Sequence, residues 1–253
     1  LGLVLGAAAF VAPLAVHRSV LRRDLPILLV ASALLPLLAW LPASRPGPND
    51  SGFGWIDGII LLACFIGVLG AWIISAIRGG AEVPVDVSEV DQTPERPLGV
   101  ASLLFAAGLA TLIVGGKGAE IGATGIARAA GLSPGVIGLT IVAVATSLPE
   151  VVTSVVAVRR GHADLAVGNV VGSNLFNILF VLGTTTLFGT VQVPAGGWTD
   201  LTVMLVLTGL LVPFAATNGR QVLRWQGAVL LTGWAAAMAW SVIREVFGPG
   251  ATG

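Results

Sequence analysis

Apolar residues run along this chain in long blocks, and polar positions fall either between the blocks or in narrow stripes inside them. Blocks near 24–42, 54–77, 98–128, 134–158, 164–187, 199–217 and 222–247 each approach or exceed the roughly twenty residues a helix needs to cross a hydrocarbon core about 30 Å thick. A further block near 1–16 reads as the tail of an eighth helix. None is a segment of about ten residues with alternating hydrophobicity, the mark of membrane strands. Breakers separate the blocks. The stretch 42–54 is rich in Pro and Gly, and Gly131-Leu132-Ser133-Pro134 ends one helix and offers Ser133 as N-cap of the next. The pattern predicts an all-α fold, a polytopic helical membrane protein with seven full spans and one partial one.

Composition agrees and narrows the function. Of 253 residues, 55% are hydrophobic and only 10% charged, with a mean hydropathy of +0.94, against about 25% charged in soluble domains. Net charge is zero, so nothing calls for a nucleic-acid or acidic partner. Cys64 is the single cysteine, which rules out a disulfide within the chain. No nucleophile–His–Asp set, phosphate loop or zinc cluster is present, so an enzyme with a bound cofactor is not indicated. The first residue is Leu1, and the opening run lacks the basic start of a signal peptide.

Charge also organises the loops. The one long polar linker, 79–97, carries Glu82, Asp86, Glu89, Asp91 and Glu95 among three prolines and reads as a solvated connector. Counting spans alternately, nine arginines fall on one side (18, 22, 23, 78, 96, 159, 160, 220 and 224) and three on the other (45, 128 and 244). The positive-inside rule puts the first side, and the acidic linker, in the cytoplasm and the C-terminus outside. Lys117 stays within a helix, three residues before Glu120, as a pairing or snorkelling cation. Asp57 and Asp200 open their helices, where the positive end of the helix dipole suits a carboxylate.

The chain repeats itself. Val4-Leu5-Gly6 opens a segment that parallels the one opened by Val181-Leu182-Gly183, and each is followed by an aspartate, Asp24 or Asp200, at the head of an apolar helix. A loop and a second helix with a central tryptophan, Trp72 or Trp234, complete each copy. An odd number of spans separates the copies, so they cross the membrane in opposite senses, an architecture that recurs in secondary transporters. Residues 1–78 are then the end of a first inverted repeat, 79–97 the cytoplasmic linker, and 98–253 the second repeat. Within the polar helices at 134–187, the second copy carries Pro149-Glu150 and Gly172-Ser173-Asn174 upstream of its mark, and the first has no counterpart for them. The expectation is a chain lacking an N-terminal pair of helices.

Those polar helices hold the candidate chemistry. Ala143, Thr146, Ser147, Glu150 and Ser154 share one helical face, and Asn169, Ser173 and Asn177 another. Pro149 removes the N–H that would bond the Ala145 carbonyl. A carboxylate among hydroxyl, amide and backbone oxygens suits hard cations such as sodium and calcium. Thr153 and Asn169 alone read equally well as helix glue.

The runs Ala145-Thr146-Ser147-Leu148-Pro149-Glu150 and Gly168-Asn169-Val170-Val171-Gly172-Ser173-Asn174-Leu175-Phe176-Asn177 resemble the second α-repeat of the sodium/calcium exchanger superfamily, over about forty residues. Ala145 stands where the family often has Gly. The resemblance implies an inverted-repeat exchanger fold and makes Glu150 the central metal ligand. Thr146, Ser147, Ser173, Asn177 and the Ala143 carbonyl would join it, with a missing N-terminal α-repeat completing the site. It implies a multi-pass antiporter of the plasma (inner) membrane whose partners are the bilayer and its transported calcium and sodium ions, with no cofactor. Calcium/proton antiport and a non-transporting membrane scaffold stand as alternatives. Asn177, where some potassium-dependent relatives carry Asp, leans toward potassium independence.

Overall fold

A computed structural model describes residues 1–41, 51–78, 97–132, 134–194 and 196–247. The acidic linker through Arg96, Arg45, and the proposed cap Ser133 lie outside the described residues. The helices are α1 (Gly2–Val11), α2 (Leu25–Trp40), α3 (Trp55–Ile77), α4 (Leu98–Ala129), α5 (Ala143–Arg159), α6 (Ala163–Leu175), α7 (Leu182–Phe188), α8 (Gly197–Ala216) and α9 (Arg224–Phe247). A single turn, Pro134–Ile137, precedes α5. Among the described residues, three π-helical segments join or extend these: Val20–Asp24 leads into α2, Gly138–Val142 into α5, and Phe176–Val181 links α6 to α7. Each closes with a bond from an amide to the carbonyl five residues back, as Leu182 N to Asn177 O does. Among the described residues, seven continuous helical stretches are long and apolar enough to cross a membrane, the seven read from the apolar blocks.

The first block departs from expectation. Its helix ends at Val11 and not near residue 16. Pro13 disfavours the helical conformation at Ala12, which is extended, and Leu14–Ala15 instead forms strand β1. It pairs antiparallel with β4 (Gln221–Val222). At the other end of the bundle β2 (Gly52–Phe53) pairs with β3 (Val191–Gln192). One pair therefore clasps the loop after α1 to the loop before α9, and the other clasps the loop before α3 to the loop after α7.

The same helix contact is built twice. Gly6, third residue of the first Val-Leu-Gly mark, crosses Gly227; a methyl on Gly6 would lie 2.7 Å from Leu231 Cβ and 2.9 Å from the Gly227 carbonyl. Gly183, third residue of the second mark, crosses Gly58, where a methyl would lie 2.7 Å from the Gly183 carbonyl and run into Thr186 Oγ1. Gly227 and Gly58 each follow a side chain that caps the start of its own helix. Asp57 Oδ2 accepts from Gly54 N at 2.8 Å, and Gln226 Oε1 accepts from Leu223 N at 2.8 Å. Small residues at such crossings let helix backbones approach closely, which packs them without help from the hydrophobic effect. The core lies around α6, whose Ala166, Val167 and Val170 are fully buried, between α1, α2 and the edges of α5 and α8. α3 and α4 turn mostly exposed apolar side chains outward.

Candidate cation site

α5 and α6 form an antiparallel pair turned at Arg160–His162, with Gly161 at φ +87° making the reversal. Asn169 fastens them: its Nδ2 donates to Thr153 Oγ1 and to Ser154 Oγ, each at 3.2 Å. That contact fixes the register of the two polar faces one and two turns away.

On α5, the Thr146 hydroxyl donates to the carbonyls of Val142 (2.9 Å) and Ala143 (3.2 Å), and Ser147 Oγ donates to Ala143 O at 3.1 Å. On α6, Ser173 Oγ donates to Val170 O at 3.2 Å and Asn174 Nδ2 to the same carbonyl at 2.8 Å. Thus the hydroxyl protons of Thr146, Ser147 and Ser173 are all committed to their own helices. What they present outward is lone pairs. Glu150 is half-buried, and its Oε2 is a buried oxygen with no hydrogen-bond partner. A carboxylate oxygen left without a donor among acceptors is costly unless a cation meets it. The helix runs through Pro149 without a break, and the irregular turn lies just upstream, in the π segment that ends at Val142.

The six residues expected from the sequence do not all lie equally deep. Ala143, Ser147, Glu150 and Ser173 are half-buried, whereas Thr146 and Asn177 are exposed. Asn177 sits inside the π segment between α6 and α7. Among the described residues no three His, Cys, Asp or Glu side chains gather as a metal cluster. A cavity of about 330 Å³ borders the pair; Ala143 and Asn174 line it with Ser32, Thr208, Asp200 and Ser241. Ser32 Oγ is fully buried there without a partner.

Two carboxylates read from the sequence only as helix openers do more than that. Asp24 Oδ1 accepts from Arg23 Nε at 2.7 Å and from Trp72 Nε1 at 3.0 Å, tying α2 to α3. Asp200 accepts from Ser241 Oγ at 2.8 Å and Arg244 Nη2 at 3.1 Å, tying α8 to α9, and Arg244 also donates to Gly196 O at 2.7 Å. Their places in the repeat were the available signal; the partners Trp72, Ser241 and Arg244, 41 to 48 residues away, were not legible. Lys117 Nζ meets both oxygens of Glu120 at 2.9 Å, the intrahelical pair its spacing allowed.

The family model for the sodium/calcium exchanger protein matches residues 1–74 and 100–243. The inner membrane protein YrbG of Escherichia coli is 34% identical over 248 residues, 94% of this chain and 73% of that protein. The sodium/calcium exchanger MaX1 of Methanosarcina acetivorans is 36% identical over 122 residues, 48% of this chain and 35% of that one. The solved structure of the sodium-calcium exchanger NCX_Mj soaked with sodium and no calcium superposes with a TM-score of 0.71 at 31% identity, over 94% of this chain and 72% of that one. With this fold and this oxygen-lined helix pair, the chain belongs to the sodium/calcium exchanger family. It is a multi-pass integral membrane protein of the cation antiporter class.

Proposed function

We propose that this protein exchanges calcium for sodium by alternating access, with Glu150 as the charged ligand. Thr146, Ser147, Ser173, Asn177 and the Ala143 carbonyl act as neutral ligands. One observation carries the reading: Glu150 Oε2 is buried and unpartnered beside hydroxyls whose protons point into their own helices. Such a surface gathers acceptor oxygens around a carboxylate, so it favours a cation and repels an anion. Calcium takes six to eight oxygens at 2.3–2.6 Å, and sodium, similar in size with half the charge, competes for the same set. Competition for one set of ligands couples the two flows without ATP.

The chain is read as two inverted repeats meeting through the paired glycine crossings, 1–78 and 98–253, joined by a cytoplasmic linker at 79–97. An N-terminal α-repeat would add the remaining ligands. The excess of arginine at the end that holds Arg18 and Arg220 supports a cytoplasmic placement of that end. Glu150→Gln in the full-length protein, reconstituted in proteoliposomes, tests the ligand. Calcium uptake driven by an outward sodium gradient is expected to vanish, and wild-type uptake in the variant would overturn the assignment. The same vesicles under a pH gradient without sodium separate the sodium-coupled from the proton-coupled antiporter.

A further inference from the structure

α4 presents one face to the candidate site. Its less exposed positions, Leu112, Gly116, Glu120, Ala123, Thr124 and Ala127, recur at helical spacing and make one stripe. The stripe packs on α5 and on the π segment before it; a methyl on Gly116 would lie 3.8 Å from Pro149 Cγ. Since α4 and α5 run antiparallel, the turn from Gly116 to Glu120 moves along α5 from Pro149 back toward Ala145 and Thr146.

Two polar side chains interrupt this otherwise apolar stripe. Glu120 is 24% exposed and is held by Lys117, which is 62% exposed. One turn on, Thr124 Oγ1 is buried with no partner. A helical threonine ordinarily donates to the carbonyl four residues back, as Thr111, Thr140 and Thr153 do here. Thr124 leaves that bond unmade while facing the seam. The seam therefore holds a carboxylate, a free hydroxyl oxygen and an ammonium on a long exposed arm that can swing away.

We propose that Glu120 is a second cation station on the transport route, a carboxylate on α4 that receives the ion before Glu150 does, with Thr124 as its neutral oxygen. Lys117 is the tethered cation that holds the station between ions. The inference rests on the cation-antiport reading and adds a specificity-determining residue to it. A calcium ion, with two charges, outcompetes one ammonium for the carboxylate; removing the ammonium leaves the station free for the ion.

The test measures calcium uptake against calcium concentration in proteoliposomes of the full-length protein. Wild type is compared with Glu120→Gln, Glu120→Asp, Lys117→Met and the double variant Lys117→Met/Glu120→Gln. The expected result for Glu120→Gln is a rise of about threefold or more in KM for calcium with little change in maximal rate, the scale of losing one charge contact in a partly wet seam. Glu120→Asp shifts KM less, and Lys117→Met lowers it. The double variant keeps the raised KM of Glu120→Gln. An ion pair that only supports the helix behaves differently: each single variant lowers the yield of folded protein, and the double variant returns to wild-type KM. That outcome, or an unchanged KM in Glu120→Gln, overturns the station. If Glu120→Gln does not fold, Lys117→Met decides, and an unchanged or raised KM in it overturns the station. Failure of the wild type to take up calcium under either a sodium or a proton gradient would instead refute the antiport reading.

Discussion

Replacing Gly227 by alanine puts one methyl where α9 crosses α1. That methyl would run into Ala9 Cβ, and the Gly6 carbonyl lies 3.3 Å from it. The obstruction is backbone and a stub of side chain, so relief requires the helices to part. Overpacking of this kind costs about 1–3 kcal/mol. Against it stands the gain of about 1 kcal/mol for Gly→Ala inside a helix. Gly209, in α8 with nothing within 4 Å of its would-be methyl, isolates that gain. Gly227→Ala is therefore expected to be about 1–3 kcal/mol less stable than Gly209→Ala, or roughly 2–12 °C in melting temperature at this chain length. Thermal unfolding of the detergent-purified variants measures the gap. In the Ala9→Gly background, itself about 1 kcal/mol less stable for the glycine placed in α1, adding Gly227→Ala should cost at most half of what it costs in the wild type, which is the recovery expected of the double variant, because neighbours in contact are not additive. Equal melting of Gly227→Ala and Gly209→Ala, or no recovery in the double variant, would refute the close-crossing argument.

Two other contacts give sharp expectations. Trp72→Phe keeps an aromatic ring but removes the donor to Asp24 and part of the packed indole surface, and should lower stability by at least about 1–2 kcal/mol in the same melting assay while leaving calcium KM unchanged. Asn169→Ala deletes both bonds between α6 and α5, about 0.6 kcal/mol each in membrane helices, so it should lower the melting point slightly and, by loosening the register of the two polar faces, raise the KM for calcium.

Much of this molecule was legible in its apolar blocks, because spanning a bilayer imposes a minimum length that composition alone reveals. The seven spans and their ends followed from that constraint, as did the exchanger family from the two motifs around Glu150 and Ser173. Other features were hidden for specific reasons. The three π segments leave no mark in hydropathy, since one extra residue per turn changes register and not polarity. The strands β1 to β4 are two residues each and exist only because a partner loop, distant in sequence, lies beside them. Asp24 and Asp200 looked like helix openers because Trp72, Ser241 and Arg244 are remote along the chain. For the candidate site, the sequence pointed to the oxygens on α5 and α6 but not to the direction of their protons. The bonds from Thr146, Ser147 and Ser173 into backbone carbonyls appear only once the helices are formed.

The glycine crossings also constrain how the protein is made. α1 rests on α9, the last described helix, and α3 rests on α7. A ribosome delivers each of these partners long after the other, so α3 waits in the lipid until α7 is synthesised, and α1 until α9 is. Insertion of the spans and closure of these two crossings are consequently separate events in time, and the α1 crossing closes only after α9 has been made.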